Sequence, residues 1–166
     1  FIGSHPMAGN DKQGVESGFE GLLDNSKWIL TPTKYTNDRA ISLLSDLVIS
    51  MKCEIVKTIP KEHDMAVALV SHLPIFISSC LLETADIQSN QSLLKFAQKI
   101  ASTGFKDTSR VGGGNPSLGL DIAKNNYYNL LDSIKIFKNN LDIIESNIRD
   151  KNWQLVYENL DKSKGN

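Results

Sequence analysis

The sequence predicts an α/β segment followed by an all-α segment, and three observations carry that prediction. Residues 1–59 alternate short apolar runs with one helix-period stretch. Residues 60–166 show helix-period apolar runs and no strand pattern. Pro60 stands between the two regimes and closes the last apolar run of the first. With 166 residues and 40% apolar content, the chain can bury a real core.

Taken in order, a short apolar strand leads into Gly3-Ser4-His5-Pro6. Lys27-Trp28-Ile29-Leu30-Thr31-Pro32 is a second strand stopped by proline, and Cys53-Glu54-Ile55-Val56-Lys57-Thr58-Ile59 a third, stopped by Pro60. Between these two, Asn37 or Asp38 can cap a helix with the apolar stripe Ile41, Leu44, Leu47, Val48 and Met51. A helix over residues 61–82 is apolar almost all round, the pattern of a helix surrounded by protein, and Pro74 is expected to kink it. A helix over 91–101 precedes an irregular connection marked by Gly104 and by Gly112, Gly113 and Gly114. The last long helix carries Tyr127, Leu130, Ile134, Phe137, Leu141, Ile144 and Ile148 in steps of three and four, a heptad-like seam. A short helix with Trp153, Val156 and Leu160 closes the chain before a polar tail.

Bulk properties exclude several classes. A formal net charge of −1 gives no broad field to hold nucleic acid or an anionic membrane, so an anionic ligand must be caught locally. Residues 65–82 lack a formal charge and by length would admit a membrane span. Ser71, His72, Pro74, Ser78 and Ser79 and the missing basic flanks favour a buried helix instead. Two cysteines, Cys53 and Cys80, make neither a disulfide framework nor a metal set, which fits a reducing cytoplasm. The opening Phe1-Ile2-Gly3 is not a signal peptide, and the expectation is a chain truncated ahead of Phe1. The nearly all-apolar helix and the seam exceed what a helical monomer of this size covers, so a homodimer is expected.

Four features could carry chemistry. His5, in Gly3-Ser4-His5-Pro6-Met7-Ala8-Gly9, leaves a strand at the end where α/β sheets bind ligands, and its ordinary pKa suits proton transfer; the other reading is a surface-loop histidine. Arg110, closing Gly104-Phe105-Lys106-Asp107-Thr108-Ser109-Arg110, offers a bidentate fork for a carboxylate, or else a loop ion pair with Asp107. Ser71 and His72 form either a hydrogen-bonded core pair or the floor of a pocket, and His63 beside Asp64 reads as the first turn of a helix. The run Gly112-Gly113-Gly114-Asn115 follows no strand and matches no phosphate-loop spacing.

Five motifs together resemble the prephenate and arogenate dehydrogenases in order and spacing: His5-Pro6-Met7-Ala8-Gly9, Leu30-Thr31-Pro32, His63-Asp64, Val70-Ser71-His72-Leu73-Pro74, and the segment from Gly104 to Arg110. The resemblance covers nearly the whole chain. It implies that residues 1–59 are the second half of a Rossmann-like nucleotide-binding domain. Residues 60–166 would then be an all-helical substrate-binding and dimerisation domain. The first half, with the glycine fingerprint, the main cofactor site and an assisting serine, would lie outside this chain, which alone would then be inactive. A non-catalytic helical dimerisation module is the alternative for such a segment.

The family reaction, by the same resemblance, removes a hydride from C4 of a cyclohexadienol to NADP or NAD while carbon dioxide leaves and the ring turns aromatic. His5 would accept the C4 hydroxyl proton and Arg110 would hold a substrate carboxylate, with Ser71 and His72 also in the substrate site. Lys106, Asp107 and Asp11 are candidates for an ion-pair gate around Arg110. Two departures resemble the arogenate-preferring branch: Ile75 replaces a second histidine after Ser71-His72-Leu73-Pro74, and Gly119 replaces a tryptophan nine residues after Arg110. Asp11 is then the candidate carboxylate for arogenate's amine. No metal is implied.

Overall fold

The computed structural model describes residues 1–9, 14–86 and 90–164, so the Asp11 candidate lies outside the described residues. The expected order of an α/β portion followed by helices is observed. Strand β1 (Gly3–Pro6) pairs antiparallel with β2 (Lys27–Thr31), and β2 pairs parallel with β3 (Glu54–Lys57). A parallel pair needs a crossover of a dozen residues or so, and α1 (Asp38–Ser50) supplies it. Asn37 caps that helix by accepting the Arg39 N–H at 2.8 Å. Leu30 and Val48, both 0% exposed, form the core between sheet and helix.

Helical structure then runs without a break from Pro60 to Asp86. Pro60 occupies the first turn of α2 (Pro60–Val67), where its missing N–H costs nothing. A π-helical turn over Ala68–His72 joins it to α3 (Leu73–Asp86). The distortion expected from Pro74 takes the form of this π turn: Pro74 cannot donate to the carbonyl four residues back and its ring crowds it, so the turn ahead of it widens. The Leu73 N–H accordingly reaches Ala68 O, five residues away.

The glycine-rich stretch departs from expectation. It is not irregular: α5 (Thr103–Ser109) continues into a 3-10 turn (Arg110–Gly113), and α6 (Pro116–Asn125) follows. Asn115 accepts the Ser117 N–H at 2.9 Å, and Pro116 sits at the first position of α6, ordinary start signals hidden by the surrounding glycines. Gly112 packs its backbone against α3. Its N–H donates to buried Ser78 Oγ at 2.8 Å, and a Cβ there would lie 2.3 Å from Ser79 N. The glycine serves close approach of two backbones.

The remaining helices, α4 (Gln91–Ile100), α7 (Tyr127–Arg149) and α8 (Trp153–Asp161), match expectation closely. Their surroundings do not. The long helix, expected to be surrounded by protein, exposes Met65, Leu69 and Val70, the last at 70%. By length and composition Pro60–Asp86 could cross a membrane. Of the heptad-like seam on α7, Leu130 is buried, while Tyr127, Leu141 and Ile148 stand at least half exposed. An apolar groove of about 500 Å³ lies between α3 and α7, lined by Phe76, Ile77, Leu81, Ile134 and Phe137 among others.

Candidate active site

His5 reaches its position because β1 is pinned at both ends. A Cβ on Gly3 would lie 2.5 Å from Thr31 Oγ1, so the glycine lets the strands close up, and beyond Pro6 the Met7 N–H donates to Lys27 O at 2.8 Å. His5, opposite Ile29 in the sheet, leans onto the first turn of α2. There His5 Nδ1 and His63 Nε2 are 2.9 Å apart, with the rings edge to face at 70°, and His63 Nδ1 lies 2.9 Å from Asp64 Oδ1.

The third imidazole, His72, arrives through the π turn. Counting from Val67 in an ordinary helix, the next residue on the same face is Ser71; the widened turn moves that place one residue on, to His72. His72 therefore lines the cleft with His5, His63 and Val67, and Ser71 is not among the lining residues. Asn126, the residue before α7, fixes its proton. Asn126 Nδ2 donates to the Asp64 carbonyl at 2.7 Å and to His72 Nδ1 at 3.2 Å, and Asn126 Oδ1 accepts from Asn129 at 2.7 Å. His72 Nδ1 is thus an acceptor, so the neutral ring carries its proton on Nε2.

Both histidines are held below the ordinary pKa of 6.5. For His5, burial is the main cause and the nearby positive charge of protonated His63 the second. For His72, burial again leads, followed by His5 and His63, with Asp64 opposing. Neutral imidazole is therefore favoured at both places. The cleft encloses about 290 Å³, with Val67, Leu118 and Ile122 as apolar wall and Asp64, Asp121 and Asn125 as polar wall; among the described residues no lysine or arginine lines it. Among the described residues no cluster of three His, Cys, Asp or Glu is arranged to hold a metal ion.

The arginine segment is not among the residues that line this cleft. Arg110, Lys106 and Asp107 are exposed, and among the described residues no ion pair joins them, so neither the Asp107–Arg110 pair nor a gate among these three is formed. Ile75 and Gly119 do come together: both line an adjoining pocket of about 340 Å³ that shares Leu118 with the histidine cleft. Sequence reasoning missed two residues. His63 was read as a helix start, although the His63-Asp64 pair was itself a signal, and Asn126 offered no local signal at all.

Residues 59–162 match the family profile described as prephenate dehydrogenase, dimerization domain, and residues 1–76 match prephenate dehydrogenase, nucleotide-binding domain. The chain is 28% identical over 157 residues to a prephenate dehydrogenase of Bacillus subtilis, covering 95% of this chain and 42% of that protein. Its structure superposes on Synechocystis arogenate dehydrogenase with a TM-score of 0.88 at 38% identity, covering 99% of this chain and 59% of that one. Aquifex aeolicus prephenate dehydrogenase, solved in complex with hydroxyphenyl propionate and NAD+, gives a TM-score of 0.90 at 30% identity, with 99% and 57% covered. The chain thus spans about half the length of these relatives. The sheet and its α1 crossover are a portion of a nucleotide-binding domain, the helices from Pro60 onward a dimerisation domain, and the chain belongs to the prephenate dehydrogenase family.

Proposed function

We propose that the chain is the substrate-binding portion of a nicotinamide-dependent dehydrogenase that oxidatively decarboxylates arogenate, or alternatively prephenate, in tyrosine biosynthesis. The observation that carries this reading is the cleft between sheet and helices, where two histidines favoured in their neutral forms converge. His5 accepts the C4 hydroxyl proton as that carbon gives up its hydride. The bond from C1 to the carboxylate then breaks, carbon dioxide leaves, the electron pair of that bond moves through the ring to the C4 oxygen, and His5 returns the proton there as the ring becomes an aromatic phenol. His72 presents its Nε2–H as a donor to the substrate. Arg110, exposed and without an ion-pair partner among the described residues, holds a substrate carboxylate, flanked by Lys106 and Asp107. Ser71, next to His72 in the π turn but outside the cleft's lining, borders the substrate site rather than forming its wall.

NAD or NADP, when bound, takes the hydride. The lining residues suit it: Asp64 and Asp121 face the cleft and, among the described residues, no lysine or arginine does, a setting compatible with the positive ring of an oxidised nicotinamide. The A. aeolicus complex with hydroxyphenyl propionate and NAD+ supports both ligand classes. Arogenate is favoured over prephenate by Ile75 and Gly119, which leave the adjoining pocket apolar, and by Asp11 as partner for the amine. The domains divide at Pro60, residues 1–59 and 60–166, and the protein works in the cytoplasm as a homodimer, whose partner copy covers the groove between α3 and α7.

The test is nicotinamide reduction by the purified natural protein given arogenate and prephenate in turn, each with NAD and NADP. Faster turnover of arogenate is expected. No turnover of either substrate overturns the reaction, and sedimentation as a monomer overturns the dimer.

A further inference from the structure

Which ring nitrogen of His5 carries the proton follows from the side chains behind it. A carboxylate only accepts, so the 2.9 Å contact from Asp64 Oδ1 puts a proton on His63 Nδ1. At a pH where His63 is neutral its ring has a single N–H, which leaves His63 Nε2 as an acceptor. The 2.9 Å contact to His5 Nδ1 then requires His5 to donate there. We propose that Asp64 and His63 are positioning residues that hold His5 in its Nδ1–H tautomer, leaving Nε2 bare to take the substrate's hydroxyl proton. This rests on the reading of His5 as the proton acceptor.

The chain of contacts is anchored at each link. The His63 N–H donates to Ile59 O at 3.1 Å in the first turn of α2, and the Asp64 carbonyl is tied to Asn126 Nδ2 at 2.7 Å. The two links of the relay sit on one helix turn, while His5 comes from the sheet, so docking of β1 on α2 sets the tautomer. An unanchored neutral imidazole divides between two tautomers, and only one of them offers a bare Nε2. Once Nε2 is protonated, the Nδ1–H stays donated to His63, with the Asp64 carboxylate behind it to balance the new charge. The titratable groups facing His5 are His63, His72 and Asp64, with Asp121 on the same cleft.

The experiment reads the His5 ring nitrogens by NMR in protein carrying 15N-histidine, at a pH where the ring is neutral, alongside kcat, KM and the pH–rate profile with arogenate. Three proteins are compared: unsubstituted, His63→Leu, and His63→Gln, whose amide oxygen can replace the lost acceptor. We expect Nδ1–H with a bare Nε2 in the unsubstituted protein and in His63→Gln, and loss of that state in His63→Leu. For His63→Leu, kcat should fall by roughly 100-fold with KM little changed and the acidic limb of the profile displaced; His63→Gln should recover most of the loss. An Nε2–H signal for His5 in the unsubstituted protein overturns the proposal, as does a His63→Leu protein with unaltered tautomer and kcat. The tautomer signal needs no substrate. If it behaves as expected while neither arogenate nor prephenate turns over, the positioning stands and the reading of the reaction falls.

Discussion

His5 and His72 have the same chemistry but are set to opposite tasks. Asn126 forces the His72 proton onto Nε2 and gives the cleft a donor, whereas the contacts behind His5 favour an acceptor. Burial holds both rings below the ordinary 6.5, and that has a consequence for stability. Between the lowered folded values and 6.5 the unfolded chain binds more protons, so stability rises with pH across that interval. The contribution is complete above 6.5 and is lost as pH falls through the folded values. Denaturant midpoints measured from neutral to mildly acid pH should therefore decline, and the decline should flatten in a His5→Gln, His72→Gln protein. An equal decline in both proteins contradicts the assignment. At this scale His5 was legible because a histidine at a strand end is a local pattern. The His63 contact spans 58 residues and the Asn126 contacts 62 and 54, distances that no spacing rule sees.

Elements were read well where periodicity dominated and poorly where special geometry did. The helices from Gln91 and from Tyr127 announce themselves by their apolar spacing. Pro74 announced a distortion but not its kind. The distortion is a π turn over Ala68–His72, and it decides that His72, not Ser71, lines the cleft. The glycines from Gly112 to Gly114 suggested a loop because glycine is rare inside helices. Gly112 instead lets the 3-10 turn press onto α3, where a Cβ would come within 2.3 Å of Ser79 N. Gly112→Ala should thus destabilise the fold by about 1–3 kcal/mol, the usual effect of overpacking a tight contact. Denaturant titration measures it directly. Unchanged stability would show that the two backbones can separate at little cost.

At the scale of the molecule, composition foretold surplus apolar surface and the structure locates it. Phe96 and Ile100 on α4, Leu141 and Ile148 on α7 and the groove beside α3 are uncovered within one chain. The homodimer proposed from the match to a dimerization domain over residues 59–162 would cover that surface with a second copy. The fold class was legible because the change from strand to helix period at Pro60 is a long-range pattern in the chain itself. How the sheet meets the helices was not, since it depends on a few side chains, and that junction is where the proposed chemistry sits. The central claim is that His5, held at the junction, takes the proton released as the substrate is oxidised. The most direct test is steady-state turnover of arogenate by the natural protein carrying His5→Ala, with substrate affinity measured separately. The account predicts a fall in kcat of roughly 10²- to 10⁴-fold with binding retained; a kcat within a few-fold of the unsubstituted protein would contradict it.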